Sequence, residues 1–147
     1  MHDVVLLLHL LAATVWTGGH LVLALSVLPR AISRKSAADL LGFEAVYERV
    51  GMPALVILVA TGIWLAYGLV PDVGQWFAFT DPVARLVGAK LILLLLTLAL
   101  AIHARLRLVP KLTEASLVPM AWHIIPVTVI SVLFVVVGLS FRTGWFY

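Results

Sequence analysis

The sequence contains no cysteine. That excludes disulfides, thiolate metal sites, iron–sulfur clusters and c-type haem attachment. Charge is scarce too: only 12% of the residues are Asp, Glu, Lys or Arg, for a formal net charge of +3. A nucleic-acid partner needs a clustered basic face, and a balance this modest argues against one; the lysines and arginines are better suited to phospholipid head groups. There is no clear internal repeat and no low-complexity tract.

What is abundant is apolar surface. Hydrophobic residues make up 63% of 147. A soluble domain of this length has too little interior to hide them. The composition therefore predicts an integral membrane protein of all-α class, a single domain over residues 1–147. Four spanning segments can be read, at about 4–28, 52–70, 82–106 and 119–141. Each is near or above the roughly 20 apolar residues that cross a bilayer. The first is not expected to be a cleavable signal peptide: it lacks a basic start, and Leu28-Pro29-Arg30 follows it in place of a cleavage site. Between spans one and two, Asp39, Glu44, Glu48 and Arg49 alternate with Leu40, Leu41, Phe43, Val46 and Tyr47. That pattern predicts a short amphipathic helix lying at the interface, its acids on the wet side. Trp76, Phe77 and Phe79, and the terminal Trp145-Phe146-Tyr147, fit aromatic belts at a membrane surface.

The basic residues set an orientation. Arg30, Arg34, Lys35 and Arg49 follow the first span, and Arg105, Arg107 and Lys111 follow the third. Only Arg85, Lys90 and Arg142 belong to the other side. The positive-inside rule then predicts an inner (plasma) membrane protein of bacterial type, with both termini periplasmic.

The polar residues inside the spans are the candidates for function, because ionisable groups in a membrane are costly and face the bundle interior. His9 and His20 are eleven positions apart on the first span, about three helical turns, so both lie on one stripe roughly 16 Å apart along the axis. Trp16 lies near the same stripe. Gly18 and Gly19 remove bulk beside His20, leaving room for a helix or a flat ligand. His103 and His123 are expected at the same, inner end of the bundle as His20, with Met52 and Met120 nearby. Three imidazoles from three helices suggest axial ligation of a b-type haem, with iron held by two of His20, His103 and His123. Copper is the alternative, since imidazole and thioether both suit it. His9 and Lys90 share a depth near the outer face, where a quinone or a porphyrin is the expected ligand. His2 is assigned no role.

The order of these residues resembles a known family. Leu8-His9-Leu10-Leu11-Ala12-Ala13, then Trp16, Gly18-Gly19 and Leu28-Pro29, is similar to the first helix of the CopD-like copper-resistance membrane proteins. Val59-Ala60-Thr61-Gly62-Ile63-Trp64, Ala89-Lys90-Leu91 and the stretch from His103-Ala104-Arg105 to Pro110 resemble later parts of the same family. Glu48-Arg49, Pro53-Ala54 and Lys90 are also similar to the HemJ-type protoporphyrinogen oxidases, four-helix proteins that bind haem b. The resemblance implies copper movement through the membrane or haem-linked redox chemistry. Histidine enrichment on three helices tilts the expectation to a haem b electron-transfer protein, with Trp16, Gly19, His9 and Lys90 as further cofactor contacts. Copper transport or resistance, a porphyrinogen oxidase, and an accessory subunit of a larger respiratory complex with its own redox partner are the alternatives.

Overall fold

The computed structural model describes residues 1–146. Four long helices account for nearly all of it: α1 (His2–Arg34), α2 (Ala37–Leu69), α3 (Pro82–Lys111) and α4 (Glu114–Thr143). All four are long and apolar enough to cross a membrane. The protein is an all-α, multi-pass membrane bundle, and no strand occurs among the described residues.

The turns follow from their sequences. Lys35 takes the left-handed conformation at φ 52° and ends α1. Ser36 then caps α2, its hydroxyl accepting from the Asp39 N–H at 3.3 Å. Asp81 caps α3 by accepting from the Val83 and Ala84 N–H groups, with Pro82 at the first helical position, where a missing N–H costs nothing. Gly144 at φ 70° ends α4.

Two sequence expectations need correction. The interfacial helix before span two is not a separate element. Residues 37–50 are the first turns of the continuous α2, and Pro53 sits inside it rather than at its start. A proline removes one helical hydrogen bond, and the turns on either side of it keep theirs, so the helix runs through. Trp76 is no belt anchor: it is buried, and its indole N–H donates to the Val70 carbonyl at 2.8 Å, closing the α2–α3 loop. Phe77 and Phe79 are exposed as expected. Of the C-terminal anchor, Tyr147 lies outside the described residues.

Two helices widen at matching places. α1 has a π turn at Leu23–Val27, and α3 has one at Ala104–Leu108. Each is closed by the N–H just before a proline: Leu28 donates to the Leu23 carbonyl ahead of Pro29, and Val109 to the Ala104 carbonyl ahead of Pro110. A proline ring clashes with the carbonyl four residues back. The wider turn moves that carbonyl aside and lets the helix continue.

Around the bundle the order is α2, α1, α4, α3. α2 packs along α1, α1 on α4, and α4 along α3, whereas α2 and α3 face each other with scarcely any direct packing. An apolar cluster of Val27, Leu28, Ala31, Leu40, Leu117 and Ile124 holds the end where the α1–α2 and α3–α4 turns lie. Val70, Trp76 and Val87 hold the end that carries both termini. Small hydroxyl residues let α1 and α4 approach: Ser131 is fully buried, and Thr17 donates to the Ser131 carbonyl at 3.3 Å.

Candidate metal-handling cavity

Because α2 and α3 stay apart, the half of the bundle nearer the α1–α2 turn contains a cavity of about 410 Å³. That lies within the roughly 300–1,000 Å³ range of small-ligand and cofactor sites. All four helices contribute: Trp16 and His20 from α1, Tyr47 and Met52 from α2, and Met120 and His123 from α4, while α3 supplies mainly aliphatic wall.

His20 is the best-defined polar group in it. It is buried, at 8% exposure. Its Nδ1 lies 2.8 Å from the Trp16 carbonyl oxygen. A carbonyl only accepts, so Nδ1 carries the proton and Nε2 keeps its lone pair. A histidine fixed this way is prepared as a metal ligand. The ring is held on two further sides. Trp16 stands 4.5 Å away at 49°, and Tyr47 meets it edge-on at 5.7 Å. The Tyr47 hydroxyl donates to the same Trp16 carbonyl at 3.0 Å, and the Thr128 hydroxyl of α4 reaches the His20 carbonyl at 3.3 Å.

His123 lines the cavity from α4, and its Nε2 is buried with no hydrogen-bond partner. The His103 ring lies tilted at 44° to it, centroids 5.6 Å apart, but is exposed and does not line the cavity. The structure thus places His20 and His123 on the wall of one cavity, while the two inner histidines whose rings meet are His103 and His123. Among the described residues no three His, Asp or Glu side chains converge as a metal cluster. The thioethers of Met120, buried in the apolar cluster, and of half-exposed Met52 also line the cavity.

The glycine pair behaves differently from expectation. A Cβ on Gly19 would fall on the Tyr47 ring, whereas one on Gly18 would meet nothing. The space beside His20 is therefore filled by a tyrosine from α2, not left for a flat ligand. Tyr47 is the main residue the sequence reading missed as part of the site. Its signal was present in the spacing Tyr47–Gly51, which puts a small residue one turn on, beneath the ring.

Towards the terminal end, His9 and Lys90 do not touch through any hydrogen bond. His9 Nδ1 lies 2.8 Å from the Thr61 hydroxyl, which itself donates to the Ile57 carbonyl. The hydroxyl proton is committed there, so Thr61 accepts and His9 Nδ1 donates. Lys90 places its ammonium 5.6 Å over the Phe141 ring, against Gly138. His2, given no role from sequence, packs its ring 5.9 Å from Trp64.

A four-helix membrane bundle with an imidazole- and thioether-lined cavity in one half is the class these features define. Residues 41–141, more than half the chain, match the family model described as copper resistance protein D. The chain belongs to that family. Searches of curated proteins and of solved structures gave no match.

Proposed function

We propose that the protein handles copper within the membrane and that the cavity beside His20 is where the ion rests. The carrying observation is the His20 tautomer: Nδ1–H donates to Trp16, leaving Nε2 free in a cavity also lined by Met52, Met120 and His123. Two imidazoles and two thioethers suit a soft monovalent copper ion better than zinc or a hard cation. With copper as cargo, the positive-inside orientation puts the cavity in the cytoplasmic half and both termini outside. Titrating the purified, cysteine-free chain with Cu(I) tests the reading: about one ion per chain, weakened at least tenfold by His20→Ala, supports it.

A b-type haem between His20 and His123 is the second reading, favoured by the cavity volume and by imidazoles from two helices. Two of its original supports are gone, since Tyr47 fills the space at Gly19 and His103 stands outside the cavity. A visible spectrum of the same sample decides it: a Soret band in protein made with ample haem would replace copper by haem as the occupant. The proposal assigns no catalysed reaction, quinone or larger complex to the chain.

A further inference from the structure

α2 and α3 face each other across the cavity with almost no packing between them, yet one set of charges ties them together. Arg105 on α3 reaches across to α2. Its guanidinium lies 2.7 Å from Glu48 and 3.4 Å from Glu44. All three residues line the cavity, at its end nearest the α1–α2 turn. Glu44, Tyr47, Glu48 and Gly51 follow one another at helical spacing, so one face of α2 runs from the carboxylates to the ring beside His20. No other ion pair spans α2 and α3 among the described residues; the remaining ones join Asp39 to Arg30 and Arg34 at the α1–α2 turn.

The tie is built to open. Arg105 is 56% exposed and the two carboxylates 31% and 35%, so this is a solvent-screened pair of the kind worth little. It sits in the π turn Ala104–Leu108, where the backbone already departs from α register. Wide turns of this kind recur at functional sites. One turn away Leu40 of α2 and Leu108 and Val109 of α3 share an apolar cluster, so the opening movement is that of the Arg105 side chain and not of the helices.

We infer that Arg105 is a latch over the cavity mouth: its guanidinium covers Glu44 and Glu48, and its release exposes a carboxylate-lined entrance that admits cations and disfavours anions. The guanidinium of the arginine holds the place a passing metal cation would take, so the mouth is less negative when shut than when open. With Arg105 withdrawn, the two carboxylates attract a cation from the aqueous side and lead it along the α2 face towards Tyr47 and His20. The part played by copper rests on the reading above; the latch itself depends only on access to the cavity.

The absence of native cysteine makes the test direct. Leu55 is buried and lines the cavity beyond Met52. Leu55→Cys, in the full chain reconstituted in vesicles, is treated with two membrane-impermeant methanethiosulfonate reagents, one bearing trimethylammonium and one bearing sulfonate. Adding Arg105→Gln is expected to speed modification by the cationic reagent at least fivefold and by the anionic reagent far less. Adding Glu44→Gln and Glu48→Gln to that variant should remove the preference for the cation. The swap Glu48→Arg with Arg105→Glu, which restores an ion pair across the seam, should return access to the wild-type rate. Unchanged rates in Arg105→Gln, or equal rises for both reagents, would overturn the latch. Silver ion uptake, a redox-inert stand-in for Cu(I), is followed in the same vesicles without Leu55→Cys. Uptake raised by Arg105→Gln supports the latch as a gate on the cargo. If cation-selective access changes as expected but no variant moves silver, the copper reading fails and the latch stands.

Discussion

The ring of Tyr47 occupies the space that Gly19 leaves on α1, so one helix supplies a gap and its neighbour the group that fills it. This relationship fixes the α1–α2 seam and holds the hydroxyl of Tyr47 against the Trp16 carbonyl, beside His20. Gly19→Ala should therefore destabilise the bundle by about 1–3 kcal/mol through overpacking, read as a fall in the melting temperature in detergent. Gly18→Ala should be close to neutral, because nothing stands where its methyl would go. Adding Tyr47→Ala to Gly19→Ala should recover part of the loss; no recovery would show that the ring is not what the glycine accommodates.

The two histidines of the α3–α4 pair should separate cleanly. His123 lines the cavity and His103 does not. His123→Ala is expected to weaken Cu(I) binding at least several-fold, and His103→Ala to leave it within about twofold. Isothermal titration of both variants against a competing Cu(I) chelator measures this, and the reverse order would move the site out of the cavity.

How far the sequence reaches is visible in these residues. Four apolar runs sufficed for four spanning helices, and composition alone sufficed for the membrane. The helix ends were less legible because Pro53 and Pro29 read as boundaries. The chain instead carries helix through both, the second by widening to a π turn. The residues His20 and His123 could be nominated from sequence, since polar groups in spans are few. Their partners could not. That Glu44 and Glu48 meet Arg105 depends on α2 and α3 facing one another across 57 or more positions of chain, which no local pattern encodes. The fate of Gly19 depends in the same way on which side chain arrives from α2.

Lys90 provides a control remote from the cavity. Its ammonium lies over Phe141 at the terminal end of the bundle. Lys90→Met should leave Cu(I) binding at the His20 cavity within about twofold, while losing a cation–π contact worth roughly 0.5–2 kcal/mol. A large loss of Cu(I) affinity would mean that the two ends form one site.

His9 and Thr61 give a separate test of helix association. Thr61→Val removes the acceptor for His9 Nδ1–H, 2.8 Å away across the α1–α2 seam. Interhelical hydrogen bonds in membranes average about 0.6 kcal/mol and reach about 1.7. A loss in that range is expected from reversible unfolding in mixed micelles, with Cu(I) binding intact.

The central claim is that His20 Nε2 is the principal copper ligand of the cavity. X-ray absorption at the copper edge, on the purified chain loaded with one equivalent of Cu(I), measures the donor set directly. The account predicts a mixed nitrogen and sulfur shell in the wild type. In His20→Gln, which keeps the side chain polar but removes the imidazole, the nitrogen contribution should fall and the bound copper drop at least tenfold. Stoichiometric copper with an unchanged shell in His20→Gln would contradict it.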